Sequence, residues 1–301
     1  MYYHTLNGEM QTRYGRKFYK LSLDGGMTCP NRDGTLGSRG CIFCSGAGEF
    51  AESDRDGLDA QINRAKARVA AKVKGEPGYI AYFQSFTNTY APADRLRALY
   101  EPVLRRPDIS ILDIATRPDC LGEEVLDLLA ELNTVKPVWV ELGLQTIHPE
   151  TAAFIRRGYD LSCFDRAVTA LKARGIEVIV HQILGLPGES AEEMWQTADY
   201  IAHSGADGVK FHLLHILRGT DLAALYEQGA VSVLTLEEYT RILMGCIARM
   251  PPSMVIHRIT GDGDKKTLLA PLWSGDKKRV LNYIQKTFQN ENLQQGSLFF
   301  T

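Results

Sequence analysis

Between residues 79 and 214 the chain alternates short apolar runs with amphipathic stretches of helical length, and this alternation restricts its possible folds more than any other feature. The runs at 79–83, 109–115, 138–142, 176–184 and 208–214 have the length of buried strands. The stretches at 93–104, 123–132, 149–156, 162–173 and 191–204 place their apolar residues on one helical face. Residues 17–23 read as an earlier strand and residues 57–74, rich in Ala, Arg and Lys, as the helix that follows it. Six βα units in succession predict an α/β protein with a parallel sheet, and parallel sheets of this kind gather their chemistry at the carboxyl ends of the strands. After Gly219 the pattern changes to a helix at 236–250, a Pro-Pro break and an apolar strand at 254–259. The expected division is a core over residues 1–218 and an extension over 219–301 packed against it.

Among the 301 residues, 45% are hydrophobic and 23% charged, an ordinary globular balance, and no apolar run approaches the roughly 20 residues that span a bilayer. The opening Met1-Tyr2-Tyr3-His4-Thr5 lacks the regions of a secretory signal, so the expected location is the cytoplasm, with no membrane partner. The six cysteines show no regular spacing, which fits a reducing compartment, and Cys120, Cys163 and Cys246 read as small buried apolar residues.

The other three cysteines share one loop. Cys29, Cys41 and Cys44 lie in a segment containing Pro30, Gly34, Gly37 and Gly40, so the chain can turn repeatedly and aim backbone amides inward. Three thiolates can hold three irons of a four-iron cluster and leave the fourth open to a ligand, whereas a fourth cysteine would close it. Phe43 offers an apolar wall between two of them. Zinc is the alternative, with His4 completing the set.

The strand ends supply further candidates. Gln84 and Ser85 follow the second strand in a stretch dense in hydroxyls and amides, which also reads as a capped turn. Thr116 and Arg117 end the third, where Arg117 either grips a carboxylate or pairs with Asp119 or Asp113. Glu141, inside the apolar fourth strand, needs a partner there, and Gln145 follows it. After the fifth strand, Gly185-Leu186-Pro187-Gly188-Glu189 lets a flat ring approach the backbone, but lacks the spacing of either common nucleotide loop. Lys210 and His212 alternate onto one face of the sixth strand, as a barrel interior requires.

The blocks Arg13-Tyr14-Gly15, Cys29-Pro30-Asn31-Arg32-Asp33-Gly34-Thr35 and Gly40-Cys41-Ile42-Phe43-Cys44 resemble radical S-adenosylmethionine (radical SAM) proteins of the YhcC and YtqA type, relatives of the radical SAM domain of the Elongator catalytic subunit. Thr116-Arg117-Pro118-Asp119, residues 141–146, residues 185–189 and residues 268–273 extend the resemblance over nearly the whole chain. The first cysteine gap is longer than the Cys-x-x-x-Cys-x-x-Cys of most radical SAM enzymes. The resemblance implies a partial (β/α)6 TIM-like barrel with an N-terminal cluster loop and a C-terminal α/β extension. It implies a 4Fe-4S cluster on Cys29, Cys41 and Cys44, and S-adenosylmethionine chelating the open iron. Electron transfer from a flavodoxin or ferredoxin would then give a 5'-deoxyadenosyl radical. Phe43 would pack beside the adenine and Gly185, Leu186 and Gly188 would meet it through backbone. Gln84, Ser85, Thr116, Arg117, Glu141 and Gln145 would contact the methionine and ribose, and Glu141, Lys210 and His212 would serve catalysis.

The resemblance also implies transfer RNA as substrate, with the carboxymethylaminomethyl side chain of wobble uridine as the starting form. A net charge of −2 gives no global footprint for nucleic acid. Local basic clusters are expected at the barrel mouth: Arg13, Arg16, Lys17 and Lys20, and Lys265, Lys266, Lys277, Lys278 and Arg279. Tyr14, Tyr19 and Trp273 are candidates for stacking on a base. A radical SAM enzyme acting on a small molecule and a zinc-bearing RNA-binding protein remain the rival readings.

Overall fold

The computed structural model describes residues 2–45, 57–73, 75–261 and 266–300. Seven parallel strands curl into a half-barrel in the order β1 (Phe18–Leu23), β2 (Gly78–Phe83), β3 (Ile109–Thr116), β4 (Val138–Gln145), β5 (Glu177–Leu184), β6 (Gly208–Leu213) and β8 (Val255–Arg258). The helices α2 (Gly57–Val69), α3 (Ala93–Arg105), α4 (Glu123–Asn133), α6 (Leu161–Ala173) and α7 (Ala191–His203) return the chain between strands, as the alternation predicts. The apolar run at 254–259 supplies β8, a seventh strand hydrogen-bonded to β6. The two-residue strand β7 (Ile216–Leu217) pairs antiparallel with β9 (Leu268–Ala270) above the sheet.

Alternation along each strand sorts the side chains onto two faces. Leu21, Phe83, Ile114, Val140, Val180 and Phe211 belong to the large core under the helices. The opposite face lines the barrel interior in layers. At the amino ends Ile80, Ile111, Trp139 and Ile179 form an apolar plug closed by Met10 of α1 (Leu6–Tyr14), a helix that the alternation does not announce. The next layer is ionic: Lys20, Asp113, Glu141, His181 and Lys210. The third layer opens toward the carboxyl ends. Strands covered on both faces are buried almost continuously, which accounts for their unbroken apolar runs.

α9 (Leu236–Arg249) packs against α7 across Gly245. A Cβ there would stand 2.3 Å from Nε1 of Trp195, whose indole donates to the Ile242 carbonyl. Gly245→Ala is therefore expected to destabilise the protein by about 1–3 kcal/mol through overpacking, more than offsetting the better helix propensity of alanine. Thermal unfolding checks this, and an unchanged or raised midpoint would mean that Trp195 yields freely. Among the described residues no helix is long and apolar enough to cross a membrane.

Candidate active site

At the carboxyl ends of the strands a cavity of about 360 Å³ opens under the cysteine loop. Cys29, Cys41 and Cys44 all line it, together with Phe43, Gln84, Thr116, Arg117, Glu141, Gln145 and His212. All three thiols are free. The loop is tied by the Gly40 amide, which donates to the Asn31 carbonyl at 2.7 Å, and by Arg32, whose guanidinium donates to the Cys44 carbonyl at 2.5 Å. Gly40 stands at φ +75°, and a Cβ would lie 2.9 Å from the Arg32 guanidinium, so both backbone and space favour glycine.

A second turn holds this loop from below. The Ile42 amide donates to the Ile155 carbonyl at 3.3 Å, and Asn31 Nδ2 donates to the Arg156 carbonyl at 2.7 Å while lying 3.4 Å from Cys41 Sγ. Burial pushes the Cys41 thiol up to about 11, opposed by Asn31 and by the Arg117 guanidinium. A metal bound there displaces that proton. Among the described residues no three His, Cys, Asp or Glu side chains converge as a cage for one ion. A four-iron cluster asks for something else, one thiolate per iron around a shared space. Three thiols of one loop lining one cavity, with an amide aimed at a sulfur, fit that demand. His4 does not complete a zinc set with them, because its ring lies 2.8 Å from Glu9 and its carbonyl bonds the Ile256 amide, away from this cavity.

The turn at residues 155–159 also shapes the wall. α5 (Pro149–Phe154) ends two residues before the expected helix, and Arg156 adopts φ +58°. The Arg157 and Arg117 guanidiniums lie 4.6 and 5.2 Å from the Tyr159 ring, and the Tyr159 hydroxyl donates to the Gly143 carbonyl. Arg157 also donates to the Thr146 carbonyl at 2.6 Å. Arg157 and Tyr159 line the cavity but escaped the sequence reading, which assigned this segment partly to a helix end. Arg117 does pair with Asp119, at 2.7 and 2.9 Å, and still reaches the cavity.

The cavity floor is the ionic layer. Glu141, fully buried, accepts from Lys20 at 2.7 Å and from Lys210, and its other neighbour is His181 Nε2 at 2.8 Å. Burial alone would raise its pKa, but Lys20, Lys210 and His181 together hold it well below the carboxylate range. Burial depresses Lys210 to about 7, against the pull of Glu141. Asp113, bonded by Lys20, is raised by burial and by the Glu141 charge. His181, Tyr82, Thr87 and Arg258 join the lining without having been singled out in the sequence. Each was masked by its strand or turn context.

Several expected positions lie elsewhere. Lys210 sits beneath the cavity, not in its lining, and Ser85 is buried outside it. Gly185, Leu186 and Gly188 do not line it either. Their turn swings the chain into α7, whose Ser190 and Glu193 form a reciprocal cap, and Glu189 accepts a hydrogen bond from Thr146. Leu186 packs with Ile42 and Ile155 beneath the cysteine loop. Of the stretch after β2, Asn88 clamps the Phe83 and Ala115 carbonyls, the expected turn role, while Gln84 faces the cavity.

The amino-terminal basic cluster is corrected outright. Lys20 is inside the barrel, and Arg13, Arg16 and Lys17 precede β1, at the end opposite the cavity, where Arg13 pairs with Glu9 and with Glu177 at the start of β5. Tyr14 packs on Phe18 at that same end, and the Tyr19 hydroxyl donates to the Lys72 carbonyl. Trp273 is a core anchor, donating to the Leu234 carbonyl at 3.0 Å and packing on Tyr239. Cys246 is buried, whereas Cys120 and Cys163 are only half-buried. Lys265 lies outside the described residues.

Comparison with known proteins agrees with this geometry. YtqA of Bacillus subtilis is 45% identical over 299 residues, 99% of this chain and 92% of that protein. YhcC of Escherichia coli K12 is 39% identical over 291 residues, 96% and 93% of the two chains. A tRNA uridine(34) acetyltransferase of Methanocaldococcus jannaschii is 30% identical over 190 residues, which are 58% of this chain and 32% of the enzyme. In fold, the chain resembles an Elp3 of Methanocaldococcus infernus, with a TM-score of 0.69 at 16% identity over 92% of this chain and 64% of that one. Residues 34–201 match the sequence profile of the Radical SAM superfamily and residues 206–290 that of the Radical SAM C-terminal domain. With that match spanning more than half of its length, the chain belongs to the radical SAM superfamily.

Proposed function

We propose that Cys29, Cys41 and Cys44 hold a 4Fe-4S cluster, that the strand ends above the ionic layer hold S-adenosylmethionine, and that the enzyme remodels the side chain of the wobble uridine of transfer RNA. The observation that carries this reading is the meeting of three thiols and the polar strand ends in one cavity. When bound, cluster and cofactor supply a 5'-deoxyadenosyl radical on one-electron reduction, the chemistry of the superfamily. Phe43 walls the cavity beside the thiols, and on this reading Gln84, Thr116, Arg117 and Gln145, which line the same cavity, contact the methionine and ribose. Glu141 and His212 face the reacting region, with Lys210 holding the Glu141 carboxylate from beneath. The closed apolar plug below excludes water and stray reductant, which a carbon radical requires.

The tRNA assignment is supported by the partial likeness to an enzyme named for uridine 34. The starting form is a carboxymethylaminomethyl group and the product an aminomethyl group. The carboxymethyl unit would leave as glyoxylate, water cleaving the C–N bond after a two-electron oxidation that is balanced by conversion of S-adenosylmethionine to methionine and 5'-deoxyadenosine, with a flavodoxin or ferredoxin supplying the priming electron in the cytoplasm. Incubating the reconstituted enzyme with tRNA that carries the carboxymethylaminomethyl group, then measuring digested nucleosides by mass spectrometry, tests this. The expected result is loss of that nucleoside and gain of the aminomethyl one, and an unchanged profile would refute the substrate.

Lys277, Lys278 and Arg279, exposed in the first turn of α10 (Lys277–Glu291), are the proposed phosphate contacts. Reversing all three charges is expected to weaken tRNA binding about tenfold or more and to flatten its salt dependence. Unaltered affinity and slope in a filter-binding titration would remove this surface from the account.

A further inference from the structure

The main cavity continues into a second compartment of about 240 Å³. The two share Phe43, Gln145, His181 and His212. Beyond these four the compartments differ in chemistry. The first carries the cysteines, Thr116 and Arg117, whereas the second is lined by Ile183, Leu213, Leu214, His215 and Leu217. A chamber that carries the thiols and Arg117 and one that carries neither, joined at two imidazoles, divide naturally between cofactor and substrate.

His212 stands at that junction. Its ring lies 4.8 Å from that of His181, and its Nε2 is buried without a hydrogen-bond partner among the described residues. Buried polar atoms are almost always satisfied, so an orphan atom at a compartment boundary marks a place where a ligand supplies the missing partner. The surrounding charges say which kind. Burial holds the His212 pKa well below the ordinary imidazole value, and the positive charge of Arg258, which lines the main cavity with it, acts in the same direction. An anion arriving there meets the His212 imidazole and the Arg258 guanidinium in the same lining.

We infer that the second compartment seats the substrate and that His212 is its specificity-determining residue, hydrogen-bonding a carboxylate carried next to the reacting C–H bond. The inference rests on the proposed tRNA reading for the identity of that group, the carboxylate of the carboxymethylaminomethyl side chain. The apolar lining of Ile183, Leu213 and Leu214 then takes the flat base.

Two anticodon stem-loops that differ only at uridine 34, one with the carboxymethylaminomethyl and one with the aminomethyl side chain, give the test with reconstituted protein and S-adenosylmethionine. Fluorescence anisotropy should show the wild type preferring the carboxylate form by about tenfold. His212→Phe, which keeps the ring volume, should reduce that preference to within about twofold, and His212→Gln, which restores an amide donor, should recover part of it. Circular dichroism verifies that both variants fold. Equal affinities in the wild type, or an undiminished preference in His212→Phe, would overturn the inference. Should neither RNA bind, the RNA assignment falls by itself. N-benzylglycine against benzylamine in calorimetry then decides the carboxylate subsite: a His212-dependent preference for the acid upholds it, and no preference overturns it.

Discussion

Replacing Glu141 with glutamine is expected to cost about 3–5 kcal/mol of folding stability, the range for removing one partner from a buried ionic network. Glu141 is the hub of that layer: Lys20, Lys210 and His181 all converge on its carboxylate, which is itself fully buried. Without the charge, two ammonium groups face each other in the barrel with only Asp113 between them. Lys210, already depressed to about 7, then gives up its proton, while Lys20 retains its bond to Asp113. Lys210→Met alone should therefore cost much less, since its loss leaves Glu141 paired to Lys20 and His181. Combined with Glu141→Gln, it should recover part of the stability by removing the orphaned amine. Equilibrium urea unfolding of the two single variants and the double variant forms the cycle. A Glu141→Gln protein within about 0.5 kcal/mol of the wild type would show that the layer is not an electrostatic unit.

Cys41→Ala has the second large expected effect, this time on chemistry. Among the described residues the thiol hydrogen-bonds the Asn31 amide and the Arg156 carbonyl, which are also bonded to each other, so the fold should survive. The cluster should not, because two remaining thiolates cannot hold three irons. Iron and sulfide content after anaerobic reconstitution should fall to background, and S-adenosylmethionine cleavage should drop by about a thousandfold or more, the scale on which removal of an essential group acts. Cys120→Ala, which changes a half-buried thiol outside the cavity lining, should retain its iron. Normal iron content in Cys41→Ala would dismiss the cluster assignment.

Much of this architecture was legible because parallel strands buried on both faces write unbroken apolar runs, as at 109–115 and 176–184. The meeting of Cys29, Cys41 and Cys44 at one cavity was legible because three cysteines on a short glycine-rich segment can turn toward a shared space. Gly185 to Gly188 show how a glycine-rich turn after a strand serves helix entry as well as ligand approach: here the Ser190 cap and the Glu189 bond to Thr146 lead the chain into α7, outside the cavity lining. Lys20 was misplaced because a lysine on an edge-strand pattern looks solvent-facing until its partners Asp113 and Glu141, far along the chain, are brought beneath it. Arg157 and Tyr159 carried no local signal at all. Their position depends on the positive φ of Arg156, which stops α5 and turns the chain over the cavity.

The most direct test of the account is the yield of 5'-deoxyadenosine from anaerobically reconstituted, reduced protein given S-adenosylmethionine, with and without bulk bacterial tRNA. The account predicts formation of 5'-deoxyadenosine and its stimulation by RNA. An iron-free protein that makes none, and holds zinc on the same three cysteines, would contradict it.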